Sequence, residues 1–286
     1  MAIKPGMQQR AQLALLLRWE GLLNNKRLRD LFGVAIVRSS ELIREFREQN
    51  PRCVKWDAVS RSFHATPEFY RRGQEGEHRG DEATDSLSRY LALVGLPHAM
   101  SDDADQSVVL SAFPDLSTPN SKIFAVLSEA ARHQRAVQIM YRSMGEPTPH
   151  ERVISPHSIV RAGRRWHARA FCSKNQQFRD YALGRISEVK LLNEAAEKTR
   201  GDDKAWMTEV PVRVMAHPKL SPAQEQVIRF EYFNGTAARV TTCRGALVNY
   251  FIQDIRAAID PKTQLPPDFQ LVIENIKEIK PWIFQK

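Results

Sequence analysis

Residues 24–51 read NNKRLRDLFGVAIVRSSELIREFREQNP, and the spacing of their apolar positions sets the fold of the N-terminal part of the chain. Asn24 and Asn25 are good helix N-caps, and Leu28, Leu31 and Phe32 follow at i, i+3 and i+4 before Gly33 stops the helix. After a three-residue turn, the spacing predicts a second helix from Ile36 to Gln49. It carries Ile36, Ile43 and Phe46 on one face and Arg38, Ser39, Glu41, Arg44 and Arg47 around the other, and Asn50-Pro51 closes it. A short helix, a glycine turn and a basic amphipathic helix form a helix-turn-helix. The competing reading is a plain three-helix subdomain used as a protein interface.

The flanking sequence favours the first reading. Upstream, residues 7–23 show the period of a buried-face helix ending near Gly21. Downstream of Pro51 the period becomes two: Val54 and Trp56 alternate, residues 57–60 turn, and Arg61, Phe63 and Ala65 alternate again, which describes a hairpin wing. A recognition helix must present its N-terminal side chains to base edges in a major groove about 12 Å wide. Arg38, Ser39, Ser40 and Arg44 are the candidates for that role, and Lys55, Arg61 and His64 of the wing are placed to reach phosphates. Ala35 stands where a Ser or Thr N-cap is common, so capping from Ser39 is the alternative.

A chain of 286 residues exceeds one ordinary hydrophobic core and implies two or three domains. With 42% hydrophobic and 26% charged residues it has the composition of a globular protein. It holds no apolar run of the ~18 residues a membrane span requires, and its first ten residues lack a secretory h-region, so a cytoplasmic location is expected. Cys53, Cys172 and Cys243 are odd in number and unpaired in spacing, against both a disulfide framework and a zinc site.

The net charge of +9 is unevenly spread. Residues 1–73 hold 14 Lys and Arg against 7 Asp and Glu, residues 74–120 hold 2 against 9, residues 121–200 hold 15 against 7, and residues 201–286 hold 11 against 10. Two basic modules are thus separated by an acidic connector, and basic surface attracts phosphate because its neutralisation releases condensed counterions. The connector carries a helical stretch near 85–94 and turn-rich runs at 95–105 and 114–120. A helix is expected over 121–133, followed by five short strands at Val137–Ser143, Arg152–Val160, Arg165–Cys172, Phe178–Leu183 and Ile186–Leu192. That spacing suggests a strongly bent antiparallel sheet or small barrel. Residues 209–259 read as strand, helix, strand, helix: Val210–Met215, Pro222–Phe233, Ala237–Cys243 and Gly245–Ile259. Val227, Ile228, Leu247, Phe251 and Ile252 exceed what so small a unit needs for its own core, which points to a homodimer.

Tyr141-Arg-Ser143, Pro156-His157, the run Arg165-Trp-His-Ala-Arg-Ala-Phe171 and Phe178-Arg-Asp-Tyr-Ala-Leu-Gly-Arg185-Ile186 together resemble the WYL domain, a small Sm-like barrel of bacterial regulators. The namesake tripeptide reads Trp166-His167-Ala168. With the winged module and His217-Pro218, Gln224, Arg244-Gly-Ala-Leu247 and Tyr250, the resemblance extends to WYL repressors accompanying BREX and CBASS phage-defence operons. It implies an α+β chain divided as 1–73 winged helix-turn-helix, 74–120 acidic helical linker, 121–200 WYL sensor and 201–286 C-terminal α/β dimerisation domain. It also implies a homodimer on an inverted-repeat double-stranded DNA operator, and a nucleic-acid or nucleotide effector held by Tyr141, Ser143, His157, Arg169, Arg179 and Arg185. Forked guanidinium donors on adjacent strands suit phosphate oxygens. Strand arginines merely paired to Glu151, Asp180 and Glu188 are the alternative.

A metal-dependent nuclease using Asp180, Glu188 and Lys190 is the competing class. The same Glu-x-Lys tripeptide recurs at Glu278-Ile-Lys280, which shows how readily it arises. Gly-rich phosphate loops, Gly-x-Ser-x-Gly and His-Glu-x-x-His are missing from the sequence, so neither catalytic residues nor cofactors are expected. An activator of the same architecture also stays open.

Overall fold

The computed structural model describes residues 5–76, 88–95, 99, 109–112, 117–163 and 165–283, with side chains from Gln9 onward and none for 72–76. The chain forms two compact units, Met1–Pro114 and Asp115–Lys286.

In the first unit α1 (Pro5–Glu20), β1 (Leu22–Leu23), α2 (Asn25–Phe32) and α3 (Ile36–Gln49) precede β2 (Val54–Asp57), β3 (Ser62–Ala65), α4 (Pro67–Gly76) and α5 (88–94). The Asn24 side chain accepts from the Arg27 amide at 2.7 Å, and Gly33 closes α2 at φ +61°. The first helix ends at Glu20, next to Gly21, as its sequence suggests. Gly21 turns the chain at φ +75°, and Leu22 and Leu23 pair with His64 and Phe63, completing a three-stranded sheet in the order β1-β3-β2. Leu13, Leu16 and Leu17 of α1 pack on Leu28, Leu42, Ile43 and Phe46. Burying each of these side chains contributes roughly 1.5–3 kcal/mol, which fixes the rotation of α3. Ile36, expected on the inner face, is 57% exposed. From the connector, α5 sends Tyr90 into this core, where its hydroxyl donates to Glu20 at 3.2 Å. The acidic turn-rich runs at 95–105 and 114–120 lie largely outside the described residues.

The second unit opens with α6 (Ser121–His133), capped by Asn120, whose side chain accepts from the Lys122 and Ile123 amides. Then come β4 (Arg135–Tyr141), β5 (His150–Ala162), β6 (Arg165–Cys172), β7 (Gln177–Ala182) and β8 (Ile186–Ala195), an antiparallel sheet ordered β7-β6-β5-β4-β8. Among the described residues no ladder joins β7 to β8, so the sheet is open and not the closed barrel that the strand spacing suggests. A single 3-10 turn, Leu183–Arg185, carries the chain from β7 at one edge of the sheet to β8 at the other. In β6 the alternate residues Ala168, Ala170 and Cys172 enter the core beneath α6, with Trp166 packed against it. His167, Arg169 and Phe171 therefore point to the opposite face.

The remaining elements are α7 (Lys204–Met207), β9 (Glu209–Ala216), α8 (Pro222–Phe233), β10 (Ala238–Arg244), α9 (Val248–Asp254), β11 (Ala257–Ala258), β12 (Leu271–Ile273) and α10 (Ile276–Ile279), with sheet order β10-β9-β12-β11. The last long helix stops at Asp254 and not near Ile259, because residues 257–258 run parallel to β12. Val210, Val212 and Val214 meet Ile228, Phe233, Val248 and Ile252 in a separate core.

Candidate nucleic-acid interface

The outward face of α3 carries Ile36, Val37, Ser40, Arg44 and Arg47, while Ser39, Leu42, Ile43 and Phe46 are buried. Val37 is 66% exposed, a position for which the core gives no reason. A β-branched methyl pair at the start of a recognition helix suits contact with a thymine methyl group. Arg44 is exposed and lies 3.9 Å from Glu48, a loose surface pair worth little. Arg38 is more committed: its guanidinium reaches Glu41, Glu45 and Gln9, each at 3.2 Å.

Ser39 needs correcting. It is fully buried and its hydroxyl donates to the Ile36 carbonyl at 2.9 Å, so it neither caps α3 nor faces solvent. Ala35 has no side-chain capping bond either. Ser40 is exposed and also donates to Ile36. In the wing, Lys55 and Arg61 are exposed, and His64 is hydrogen-bonded to Ser60 at 2.8 Å.

The sequence puts Arg47 on the polar face of α3 without assigning it a contact, and it does not single out Arg52. With Arg44 they line a cleft of about 360 Å³ between the end of α3 and the start of the wing. Arg47 stacks 4.4 Å over Phe63, and Arg52 is held at φ +72° by a turn closed by the Thr66 hydroxyl. The Asn50-Pro51 helix stop was the available signal, since the residue after such a stop projects beside the helix end.

The second unit contains a buried polar network. The ladder slips between Pro156 and Ser158, leaving His157 as the extra residue of a bulge. A bulge re-aims its side chain, and proline has no amide for the ladder. His157 Nε2 thereby sits 3.1 Å from Asp203. Arg169 donates to both oxygens of Asp203, at 2.7 and 3.2 Å, and to Asp180 at 3.4 Å. The Tyr250 hydroxyl donates to the other Asp180 oxygen at 3.1 Å, and the Trp206 amide donates to Asp203 at 3.2 Å.

Burial alone would raise the Asp203 carboxyl, but the hydrogen bonds from His157 and Arg169 and the arginine charge hold it well below the ordinary carboxylate range. A carboxyl whose folded pKa is depressed stabilises the fold above its unfolded value near 4 and loses that contribution as pH falls further. The melting temperature of the second unit should therefore drop as pH falls from about 5 toward 3, and Asp203→Asn should flatten that drop. Identical profiles in thermal melts would refute the assignment.

The six residues proposed to hold an effector are placed differently from one another. His157 and Arg169 share Asp203. Tyr141 is buried edge-on to Tyr181, with ring centres 5.0 Å apart, and the Ser143 hydroxyl accepts from the Glu146 amide. Arg179 is exposed beside Gln177, and Arg185 is half-buried. Of the nuclease candidates, Asp180 is engaged by Arg169 and Tyr250, and the described residues contain no group of three or more His, Cys, Asp or Glu that could hold a metal. No helix among them is long and apolar enough to cross a membrane.

Three family models match the chain: the BrxR transcriptional regulator winged helix-turn-helix domain over residues 6–79, the WYL domain over 122–191, and the BrxR C-terminal dimerization domain over 209–279. A DNA-binding transcriptional repressor CapW of Pseudomonas aeruginosa is 32% identical over 92% of this chain and 87% of its own. A CapW repressor of Escherichia coli (strain KTE188) is 30% identical over 92% of this chain and 87% of its own. The solved proteasome accessory factor B/C (PafBC) of Arthrobacter aurescens aligns over 96% of this chain and 48% of its own at 13% identity, with a TM-score of 0.30.

Proposed function

The chain belongs to the family of CapW DNA-binding transcriptional repressors, and from that premise we propose that it silences a phage-defence operon as a homodimer on an inverted-repeat operator, with an effector at the second unit relieving repression. The observation that carries the DNA-binding part is the outward face of α3, where two exposed aliphatic side chains and two arginines stand beside a basic wing. Ile36, Val37, Ser40 and Arg44 read base edges, and Arg47, Arg52, Lys55 and Arg61 hold phosphates. The relatives are named as repressors, which favours repression over activation.

Within the second unit we assign sensing to residues 121–200 and dimerisation to 201–286. The strand order, with β4 between β5 and β8, supports an Sm-like reading of the sensor although its edges are unpaired. Dimerisation rests on α8, which leaves Val227 62% and Phe230 84% exposed one helical turn apart. On a two-fold axis this stripe would meet its own copy and present two recognition helices to the two half-sites.

A gel-shift titration against the upstream intergenic DNA tests the reading. The wild-type chain should give a salt-sensitive shift, and Arg44→Ala should weaken it by about 1–3 kcal/mol, the range of a bidentate guanine contact. Absence of any shift at micromolar protein and low salt would overturn the proposal.

A further inference from the structure

A groove of about 420 Å³ runs along the outward side of α3, lined by Ile36, Val37, Ser40, Glu41 and Arg44. Val37, Ser40, Glu41 and Arg44 stand at i, i+3, i+4 and i+7, so they follow one another along a single helix face. Their chemistry changes in order along it. Ile36 and Val37, both exposed, offer only aliphatic carbon. The Ser40 hydroxyl gives its proton to the Ile36 carbonyl at 3.0 Å, so toward an incoming ligand its oxygen can only accept. Arg38 donates to one oxygen of Glu41 at 3.2 Å, and the other oxygen of an ionised carboxylate is likewise an acceptor. Arg44, with Glu48 no closer than 3.9 Å, presents a fork of donors.

The order along the groove is therefore apolar, acceptor, donor. In the DNA major groove thymine shows a methyl group, adenine and cytosine show an amino donor, and guanine shows the two acceptors O6 and N7. The complement of the helix face is thymine, then adenine or cytosine, then guanine. Seven residues of α-helix rise roughly 10 Å, about three base-pair steps.

We propose that each half-site read by α3 carries a thymine and a guanine about three base pairs apart, with amino-bearing edges between them. Ile36 and Val37 select the thymine through its C5 methyl group, and Arg44 selects the guanine through O6 and N7. The acceptors of Ser40 and Glu41 pair with an adenine or cytosine amine and repel a guanine edge. This makes two aliphatic side chains specificity determinants of a basic helix. The inference rests on the operator reading above and goes further by fixing which bases the helix selects.

Base analogues test it in gel shifts with the full chain. Upstream intergenic DNA amplified with dUTP in place of dTTP loses every thymine C5 methyl and keeps every base pair. The wild type should bind this DNA at least about fivefold more weakly, since one buried methyl is withdrawn from each half-site. Ile36→Ala with Val37→Ala should weaken binding to ordinary DNA and bind the two DNAs within about twofold of each other. Both residues are exposed and alanine is the better helix former, so the fold is not at risk. DNA made with 7-deazaguanine should weaken the wild type at least about tenfold and Arg44→Ala by less than about threefold. Selection from a randomised duplex pool should return thymine and guanine at the stated spacing. Equal wild-type affinity for the thymine and uracil DNAs would overturn the inference and leave operator binding standing. A methyl dependence as large in the double alanine variant would overturn it too, by placing the effect in DNA shape. No shift with any of these DNAs would instead remove the operator reading itself, and this inference with it.

Discussion

Arg169→Ala is expected to lower the stability of the second unit by about 3–5 kcal/mol, the usual cost of removing one partner from a buried ion pair. Asp203 is 1% exposed and would lose both guanidinium bonds, retaining only His157 and the Trp206 amide. Asp180 would lose a partner as well. Urea denaturation of the two-unit chain should show the second transition move to lower denaturant while the first stays in place. Arg169→Met with Asp203→Leu should regain most of the loss, because apolar replacement of a whole buried pair is often neutral, though about 1 kcal/mol should remain from the lost α7 cap. A single-variant cost below about 1 kcal/mol would mean that water already satisfies Asp203. The consequence is practical. Arg169 lies among the residues assigned to the effector, yet its removal tests folding before it tests ligand binding, so the exposed Arg179 is the cleaner probe.

Phe230→Glu is expected to dissociate the dimer. Burying one phenylalanine contributes roughly 1.5–3 kcal/mol, and a two-fold interface holds two copies of each residue. Loss of both therefore takes about 3–6 kcal/mol from association, or roughly a hundredfold to ten-thousandfold in the dimer dissociation constant. In the monomer Phe230 is 84% exposed, so the substitution should leave the fold intact by circular dichroism. Sedimentation velocity at micromolar protein should show the wild type as a dimer and the variant as a monomer. An unchanged dimer would move the interface off α8.

Much of the architecture could be read in advance because it rests on local signals. Asn24, Gly33 and Asn120 cap their helices as their types suggest, and strands β4 to β8 follow the period-two runs. The misses share a physical cause. Strands of two residues, such as β1 and β11, show no period and exist only through distant partners. The phase of α3 was misjudged at Ile36 and Ser39 because helical spacing fixes an apolar stripe but not where it ends; the small, internally bonded Ser39 fits beneath the helix and Ile36 does not have to. The pairing of Arg169 with Asp180 follows the alternative that the sequence left open, but the Asp203 half of the network was illegible for a different reason. Asp203 lies 34 residues from Arg169 and 46 from His157, and nothing in a charged residue's own neighbourhood reveals such a partner.

The Asp203 contacts bear on how this chain can be cut and recombined. The natural place to divide a sensor from a dimerisation segment by sequence is near residue 200, but a fragment ending there would leave Arg169 and His157 facing a void, and the complementary fragment would carry Asp203 without its cation. A chimera joined there would inherit two incomplete halves of one salt-bridged core. The interchangeable cassette is the whole of residues 115–286, and swapping the DNA reader while keeping that cassette intact is the route to rewiring which promoter such a repressor controls.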